Sequence, residues 1–130
     1  MLKRLTAIAL LALPGCATSQ PAALTGVWGG DRMLATFTDA GAQLQADCAE
    51  GMIAGAVRAD PAGRFSSAGT FLVFHGGPQL VEEDARPPAA RFNGQVHGET
   101  LVLTIRGSAG AAPQTFTLVR GIRPKLVRCY

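Results

Sequence analysis

The stretch that decides the fold reads Leu24-Thr25-Gly26-Val27-Trp28-Gly29-Gly30-Asp31. It contains the only tryptophan of the chain and opens the first segment that can form a strand. The residues before it have the character of a leader and a tether. Those after it form short apolar runs separated by glycine, proline and aspartate. Turn residues at such short intervals are typical of β-strands joined by tight connections.

Length and composition indicate one small domain that carries no nucleic-acid site. The 130 residues allow a single core, and 16 glycines and 8 prolines favour strands and turns over helices. Lysine and arginine number 12 against 9 aspartates and glutamates, but Lys3 and Arg4 belong to the leader. The body is therefore close to neutral, whereas a nucleic-acid partner requires a strongly basic face.

The first fifteen residues have the layout of a helical signal peptide. Lys3 and Arg4 supply a basic start, and residues 5–13 form an apolar run. This run is shorter than the ~20 residues that span a bilayer. Small residues and a cysteine follow it, as they do before a cleavage site. We therefore expect residues 1–15 to be removed during export.

The segment Leu13-Pro14-Gly15-Cys16 resembles the lipobox of bacterial lipoproteins, with leucine three residues before the cysteine and glycine one before it. The resemblance implies that Cys16 becomes the first residue and carries diacylglycerol and a fatty acid such as palmitate. Ala17 implies release to the outer membrane, facing the periplasm. The alternative is an ordinary signal peptide followed by a free cysteine. Residues 16–23 then form a flexible lipidated tether, and residues 24–130 form the folded domain.

Strand-like segments and turns alternate through that domain. Besides the opening stretch, strands are predicted at 33–38, 42–48, 52–59, 64–75, 92–97, 101–106, 115–120 and 125–130. Turns are predicted at 39–41, 49–51, 60–63, 98–99 and 121–124, and residues 76–88 form a long exposed loop. We predict an all-β fold, an antiparallel up-and-down meander of about eight strands. Closure into a small barrel would leave no exposed strand edges.

Gly26-Val27-Trp28 on the first strand resembles the opening of calycins, the lipocalin and avidin type of barrel. The resemblance implies that Trp28 closes one end of the barrel and that a basic residue near the C-terminus packs on its indole. Arg120 and Arg128 are the candidates. The simpler interpretation is that Trp28 is a large core residue. Both interpretations place it inside the barrel.

The three cysteines predict one disulfide. Lipidation of Cys16 would leave Cys48 and Cys129, an even number in an exported protein. This pair would join the last strand to an early one. A metal or redox role is the alternative, but the chain contains no Cys-x-x-Cys motif.

The most suggestive cluster of candidate site residues is Phe74-His75-Gly76-Gly77-Pro78, at the mouth of the long loop. A histidine there can be a general base, a metal ligand or a donor in a binding pocket. The adjacent glycines allow a ligand to approach closely. We predict a ligand or partner site formed by His75, Gly76, Gly77, Phe74 and Trp28. The alternative is that glycine and proline only turn the chain out of the sheet and that His75 hydrogen-bonds this turn.

No catalytic or metal-binding motif accompanies this cluster. His75 and His97 with Asp31 or Glu99 could supply zinc ligands, but their spacing matches no zinc motif. The chain lacks a Gly-x-Ser-x-Gly elbow and a phosphate-binding loop with its lysine. We therefore predict no catalytic residue, no metal and no cofactor.

These observations lead to three functional hypotheses. The favoured one is a membrane-anchored, non-enzymatic envelope lipoprotein that binds a small apolar or amphipathic ligand or an envelope partner. The second is a periplasmic inhibitor, similar to small bacterial barrels that block secreted metalloproteases with their N-terminal segment. Those resemble this chain in length, an early Gly-x-Trp and one disulfide, but a lipid on Cys16 would tie that segment down. The third is an enzyme that uses His75.

Overall fold

A computed structural model describes residues 22–74, 87–107 and 112–129, together with the single positions 9, 11, 12 and 15. Its strands are β1 Gly26–Gly30, β2 Met33–Thr38, β3 Gly41–Ala46, β4 Ala49–Ala54, β5 Arg64–Val73, β6 Ala89–His97, β7 Thr100–Gly107 and β8 Gln114–Arg120. In the described part of the chain, no helix has the length and apolar character needed to cross a membrane. Cys16 and most of the predicted signal peptide and tether lie outside the described residues.

The eight strands form one closed antiparallel barrel. Each strand pairs with its neighbour in sequence, and β8 pairs with β1 to complete the circle. The predicted up-and-down barrel is therefore confirmed. We call the end that holds the two-residue turns at 31–32 and 47–48 the upper end. The opposite end, which holds the turn at 98–99 and the start of β1, is the lower end.

Alternation along the strands fills the barrel with apolar side chains. In β2, Met33, Ala35 and Phe37 point inward and are buried, while the residues between them are more exposed. The largest fully buried side chains are Trp28, Phe37, Phe92, Met33, Leu44, Leu101, Leu103, Leu118 and Val57. An eight-stranded barrel is just wide enough to be filled in this way. The interior is therefore a packed core.

A glycine on β6 makes room for one of the core aromatic rings. Phe65 and Gly94 are directly opposite each other, and a Cβ on Gly94 would overlap the Phe65 ring. Phe65 also packs edge-to-face on Phe37, with 6.3 Å between the ring centroids. The missing side chain at residue 94 thus lets Phe65 lie across the sheet and reach β2.

The pairing between β1 and β8, which we call the seam, is short. It consists of the pairs Trp28↔Arg120 and Gly29↔Val119. Beyond the end of β1, the Asp31 carboxylate accepts a hydrogen bond of 2.7 Å from the Thr117 N–H. Gly121 N–H donates to the Val27 carbonyl at 2.6 Å. The Asp31 side chain and the Gly121 turn thus add hydrogen bonds on either side of the two strand pairs.

The last described segment, residues 122–129, crosses the outside of β1 from the lower end to the upper end, and we call it the strap. A Cβ on Gly29 would overlap the Ile122 carbonyl and the Pro124 ring, so the strap lies directly on the β1 backbone. At the upper end, Val127 carbonyl accepts the Cys48 N–H at 3.0 Å. The predicted disulfide between Cys48 and Cys129 is confirmed, with 4.9 Å between the Cα atoms.

The predicted final strand at 125–130 is wrong for the residues that are described. Residues 125–129 are not in a strand. Because β1 already pairs with both β2 and β8, the barrel has no free edge at which another strand could be added. The polar backbone groups of Val127 are bonded to the 47–48 turn instead.

The predicted turn at 49–51 is also wrong, since these residues belong to β4. The turn is at 47–48, between the paired residues Ala46 and Ala49. Cys48 adopts a left-handed conformation with φ of 54°, which lets two residues reverse the chain. The predicted strand at 52–59 ends earlier, at Ala54. By contrast, the bounds of β2 and the 98–99 turn, where Gly98 has a φ of 57°, agree with the prediction.

The contact between strap and β1 predicts that Gly29→Ala will destabilise the protein by about 1–3 kcal/mol. The added methyl group would overlap backbone atoms of Ile122, which cannot rotate away. Gly107→Ala is the matched control, because a Cβ there has nothing within 4 Å. It should leave stability unchanged or raise it by less than about 1 kcal/mol. Urea unfolding measures both variants, and superimposable curves would contradict the packing of the strap on β1.

Candidate functional site

Trp28 lies in the barrel near its lower end, with an arginine stacked on its ring. The indole is fully buried, with 0% of its surface exposed. Arg120 is the residue directly opposite Trp28 across the seam, and its guanidinium carbon lies 4.3 Å from the indole ring centroid. This is cation–π geometry, and it confirms the arrangement implied by the calycin resemblance. Of the two candidates, Arg120 fills the role, whereas Arg128 belongs to the strap at the upper end.

One ion pair and one hydrogen bond hold the side chain of this arginine. Arg120 Nε lies 3.1 Å from Glu99 Oε2, and Arg120 Nη1 donates to the Thr25 carbonyl at 3.4 Å. The same carbonyl accepts the Trp28 Nε1–H at 3.3 Å. Trp28, Arg120, Glu99 and Thr25 therefore form one connected group, the lower cap.

The lower end carries a groove of about 510 Å³ beside this cap, which we call the lower groove. Its walls are the N-terminal residues 22–25, the connection 59–63, residues 96–98 and Arg120. Ala23 forms a β-bridge with Arg58, and Leu24 N–H donates to the Val57 carbonyl at 2.7 Å. The segment that enters the barrel is thus held against the lower end.

The upper end carries a second groove of about 280 Å³, which we call the upper groove. It is lined by Gln45, Ala46, Cys48, Ala49, Glu50, Phe74, Leu126, Val127, Arg128 and Cys129. The half-buried Phe74 follows β5, and its N–H donates to the Cys48 carbonyl at 2.7 Å. Phe74, Leu126 and two alanines give the groove apolar walls, while Glu50 and Arg128 bring opposite charges to it.

Asp47 connects the parts that build the upper groove. Its carboxylate binds the Arg32 guanidinium of the neighbouring turn and accepts the Val127 N–H at 2.7 Å. The hydrogen bond from Arg32, and then the one from Val127, lower the pKa of Asp47 below its ordinary value of 3.8. The same carboxylate raises the pKa of Arg32. One side chain thus links the 31–32 turn, the 47–48 turn and the strap.

The residues of the predicted ligand site are not all brought together. Phe74 lines the upper groove, whereas Trp28 belongs to the lower cap at the other end of the barrel. His75, Gly76 and Gly77 lie outside the described residues. His97, the other histidine, lines the lower groove. Of the predicted site residues that the structure describes, Phe74 and Trp28 therefore lie at opposite ends of the barrel.

Several residues that line the upper groove or hold its parts together could not be identified from the sequence. Asp47 fits an outward position of the predicted strand 42–48, so the alternation gave no sign of its long-range partners. Leu126 and Arg128 were assigned to a strand that the residues 125–129 do not form. Their role depends on where the strap lies, and no local pattern in the sequence carries that information.

Neither a metal site nor a similar known protein points to a function for the described residues. Across the described residues, no group of three His, Cys, Asp or Glu side chains is placed to hold a metal ion. Comparison of the chain with protein-family models, curated proteins and solved structures finds no match. The two grooves and their side chains are therefore the basis for a functional assignment.

The lower cap predicts that Arg120→Ala will open Trp28 to water. Its fluorescence should shift to longer wavelength, and the free energy of unfolding should fall by about 0.5–2 kcal/mol, mostly through lost cation–π contact. The exposed ion pair with Glu99 adds little to this loss. Arg123→Ala is the control, since it removes one exposed positive charge from the strap. An unshifted emission spectrum for Arg120→Ala would show that the arginine does not shield the indole.

The lowered pKa of Asp47 predicts a pH-dependent contribution to stability. A carboxylate with a depressed folded-state pKa stabilises the fold above its unfolded pKa, and this stabilisation is lost as pH falls through the folded value. The difference in melting temperature between the parent and Asp47→Asn should be largest near neutral pH. It should shrink as the pH falls below 3.8. Thermal melts across this range test the link, and a difference independent of pH would contradict it.

Proposed function

We propose that this protein is a non-enzymatic, lipid-anchored envelope protein that binds a small amphipathic ligand at its upper groove. The observation that carries the proposal is the groove itself, with an apolar wall of Phe74 and Leu126 and the charged side chains Glu50 and Arg128. Ligand sites combine mostly apolar walls with a few polar groups in this way. Because the interior is packed, the ligand binds at the end of the barrel.

The size of the upper groove limits the ligand. Its volume of about 280 Å³ is slightly below the roughly 300–1,000 Å³ found for small-molecule sites. A short acyl chain or a single ring fits on Phe74 and Leu126. A carboxylate or phosphate head group can then reach Arg128. His75, the residue after Phe74, is proposed as a second donor to that head group.

The position of the N-terminal segment supports a ligand site at the upper end of the barrel. Ala22 and Ala23 lie at the lower end, and the upper groove is at the opposite end of the barrel. Six peptide units separate Cys16 from Ala22, a span of at most about 20 Å. A lipid on Cys16 would therefore hold the lower end near an outer membrane and present the upper groove to the periplasm.

The inhibitor hypothesis receives less support from the same segment. An inhibitor that inserts its N-terminal segment into a protease needs that segment free. Here Leu24 packs against the core and donates a hydrogen bond to Val57, and Ala23 is bridged to Arg58. Only the residues before Ala22 could extend away, and the proposed lipid would hold those at a membrane.

Native mass spectrometry of the full-length protein, extracted gently from membranes, tests the proposal. We expect the mass of an acylated Cys16, one disulfide and a small non-covalent ligand. Cys16→Ser should lose the acyl mass and leave the membrane fraction. A bound polypeptide in place of a small molecule would show that the protein binds an envelope protein instead. An unmodified Cys16 would refute the proposed lipid anchor.

Substitutions at the upper groove locate the ligand. Phe74→Ala and His75→Ala should each lower the fraction of protein that retains the ligand, with stability within about 1 kcal/mol of the parent for His75→Ala. His97→Ala is the matched control, because it removes a histidine from the lower groove. If His97→Ala loses the ligand and Phe74→Ala keeps it, the upper groove is not the binding site.

A further inference from the structure

Two arginines face each other on the outside of the barrel. Arg91 on β6 and Arg106 on β7 are directly opposite in the strand register, and both are exposed. Opposite residues of adjacent strands have Cβ atoms about 4.5–5.5 Å apart, and like charges at that spacing repel each other. The pair therefore costs stability unless an anion lies between the two guanidinium groups.

The part of the chain that the structure describes supplies no such anion. The ion pairs in this part of the chain join Arg32 to Asp47 and Arg120 to Glu99, at the ends of the barrel. On its other side Arg91 is opposite Ala68, and the β8 pairing with β7 stops at Ile105, one residue before Arg106. Neither arginine is thus placed next to a carboxylate of the described strands.

The sheet around the arginine pair is rich in neutral hydrogen-bonding groups. The next row below the pair runs across four strands and consists of Ser66, Asn93, Thr104 and Thr115. The Thr104 and Thr115 hydroxyl oxygens are 3.1 Å apart. The row after it runs across the same four strands and consists of Arg64, Gln95, Val102 and Thr117. We call these two rows, with Arg91 and Arg106, the outer β5–β8 face, and none of its residues is acidic.

We propose that the outer β5–β8 face binds a glycan strand that carries carboxylate groups. One carboxylate accepts hydrogen bonds from both guanidinium groups, which removes the repulsion between Arg91 and Arg106. The row of hydroxyl and amide side chains donates to and accepts from sugar hydroxyls. The exposed Val102, with 37% of its surface accessible, offers apolar contact to the C–H face of a sugar ring. Charge complementarity and a polar surface favour this ligand over a lipid surface, which calls for apolar side chains that insert.

Calorimetric titration of the full-length protein with polygalacturonate tests the proposal. Methyl-esterified polygalacturonate has the same sugar backbone without the charge and is the matched ligand control. We expect binding to the acidic polymer and at least about tenfold weaker binding to its ester. Arg91→Gln/Arg106→Gln should reduce the affinity for the acidic polymer by about tenfold or more. Equal binding of polymer and ester, or none by the parent, would overturn the proposal.

Matched variants separate a specific site from general electrostatics. Arg123→Gln/Lys125→Gln removes the same charge from exposed strap residues and should leave the affinity nearly unchanged. Arg91→Lys/Arg106→Lys keeps the charge but loses the planar guanidinium group. Its affinity should therefore lie between that of the parent and that of Arg91→Gln/Arg106→Gln. The melting temperature of Arg91→Gln/Arg106→Gln should equal or exceed that of the parent, because repulsion is relieved.

Three results would count against this face. Equal losses of affinity in the Arg91→Gln/Arg106→Gln and Arg123→Gln/Lys125→Gln variants would mean that only net charge matters. A clearly lower melting temperature for Arg91→Gln/Arg106→Gln would assign the pair a structural role. Binding to vesicles of phosphatidylglycerol that exceeds binding to polygalacturonate would make the face a membrane surface. None of these readouts depends on ligand retention at the upper groove, so the two proposals fail separately.

Discussion

Closure between the first and last strands is the constraint on which the rest of the structure depends. The seam contributes only two residue pairs, fewer than any other pairing in the barrel. The Asp31 carboxylate, the strap and the disulfide all reinforce it from outside the ladder. The disulfide joins residues 81 positions apart, and in the chain-entropy model a loop of that length stabilises by about 4 kcal/mol. These contacts stabilise the closed barrel although the pairing between β1 and β8 is short.

The device that closes the barrel also builds the upper groove. The strap supplies Leu126 and Arg128, the 47–48 turn supplies Cys48, and Asp47 fixes the two relative to each other. Phe74 joins them through its hydrogen bond to the Cys48 carbonyl. Any change that loosens the strap will therefore alter both stability and the shape of the groove. The lower cap contributes to closure as well, because Trp28 and Arg120 form one of the two seam pairs.

Local sequence patterns predicted the features that depend on neighbours in the chain. Alternation located β2 residue for residue, and Gly98 marked a two-residue turn because it tolerates positive φ. Cysteine counting gave the disulfide, and the Gly-x-Trp resemblance gave the arginine on Trp28. The 47–48 turn escaped prediction because Cys48 adopts a conformation that glycine usually takes. The Arg91–Arg106 pair escaped prediction because it depends on strand register, which no local pattern states. The strap escaped because its course depends on its packing against β1.

The strap also has a consequence for the order in which the molecule can be completed. A chain that is synthesised from its N-terminus presents β1 first, but β1 receives its second partner only when β8 arrives. Cys129, which follows β8 in the chain, is needed before the disulfide can form. Until β8 has paired with β1, every partial chain has two open sheet edges, which are sites for pairing with other molecules. A nascent chain of this protein therefore stays vulnerable to aggregation until β8 has been made and has paired with β1.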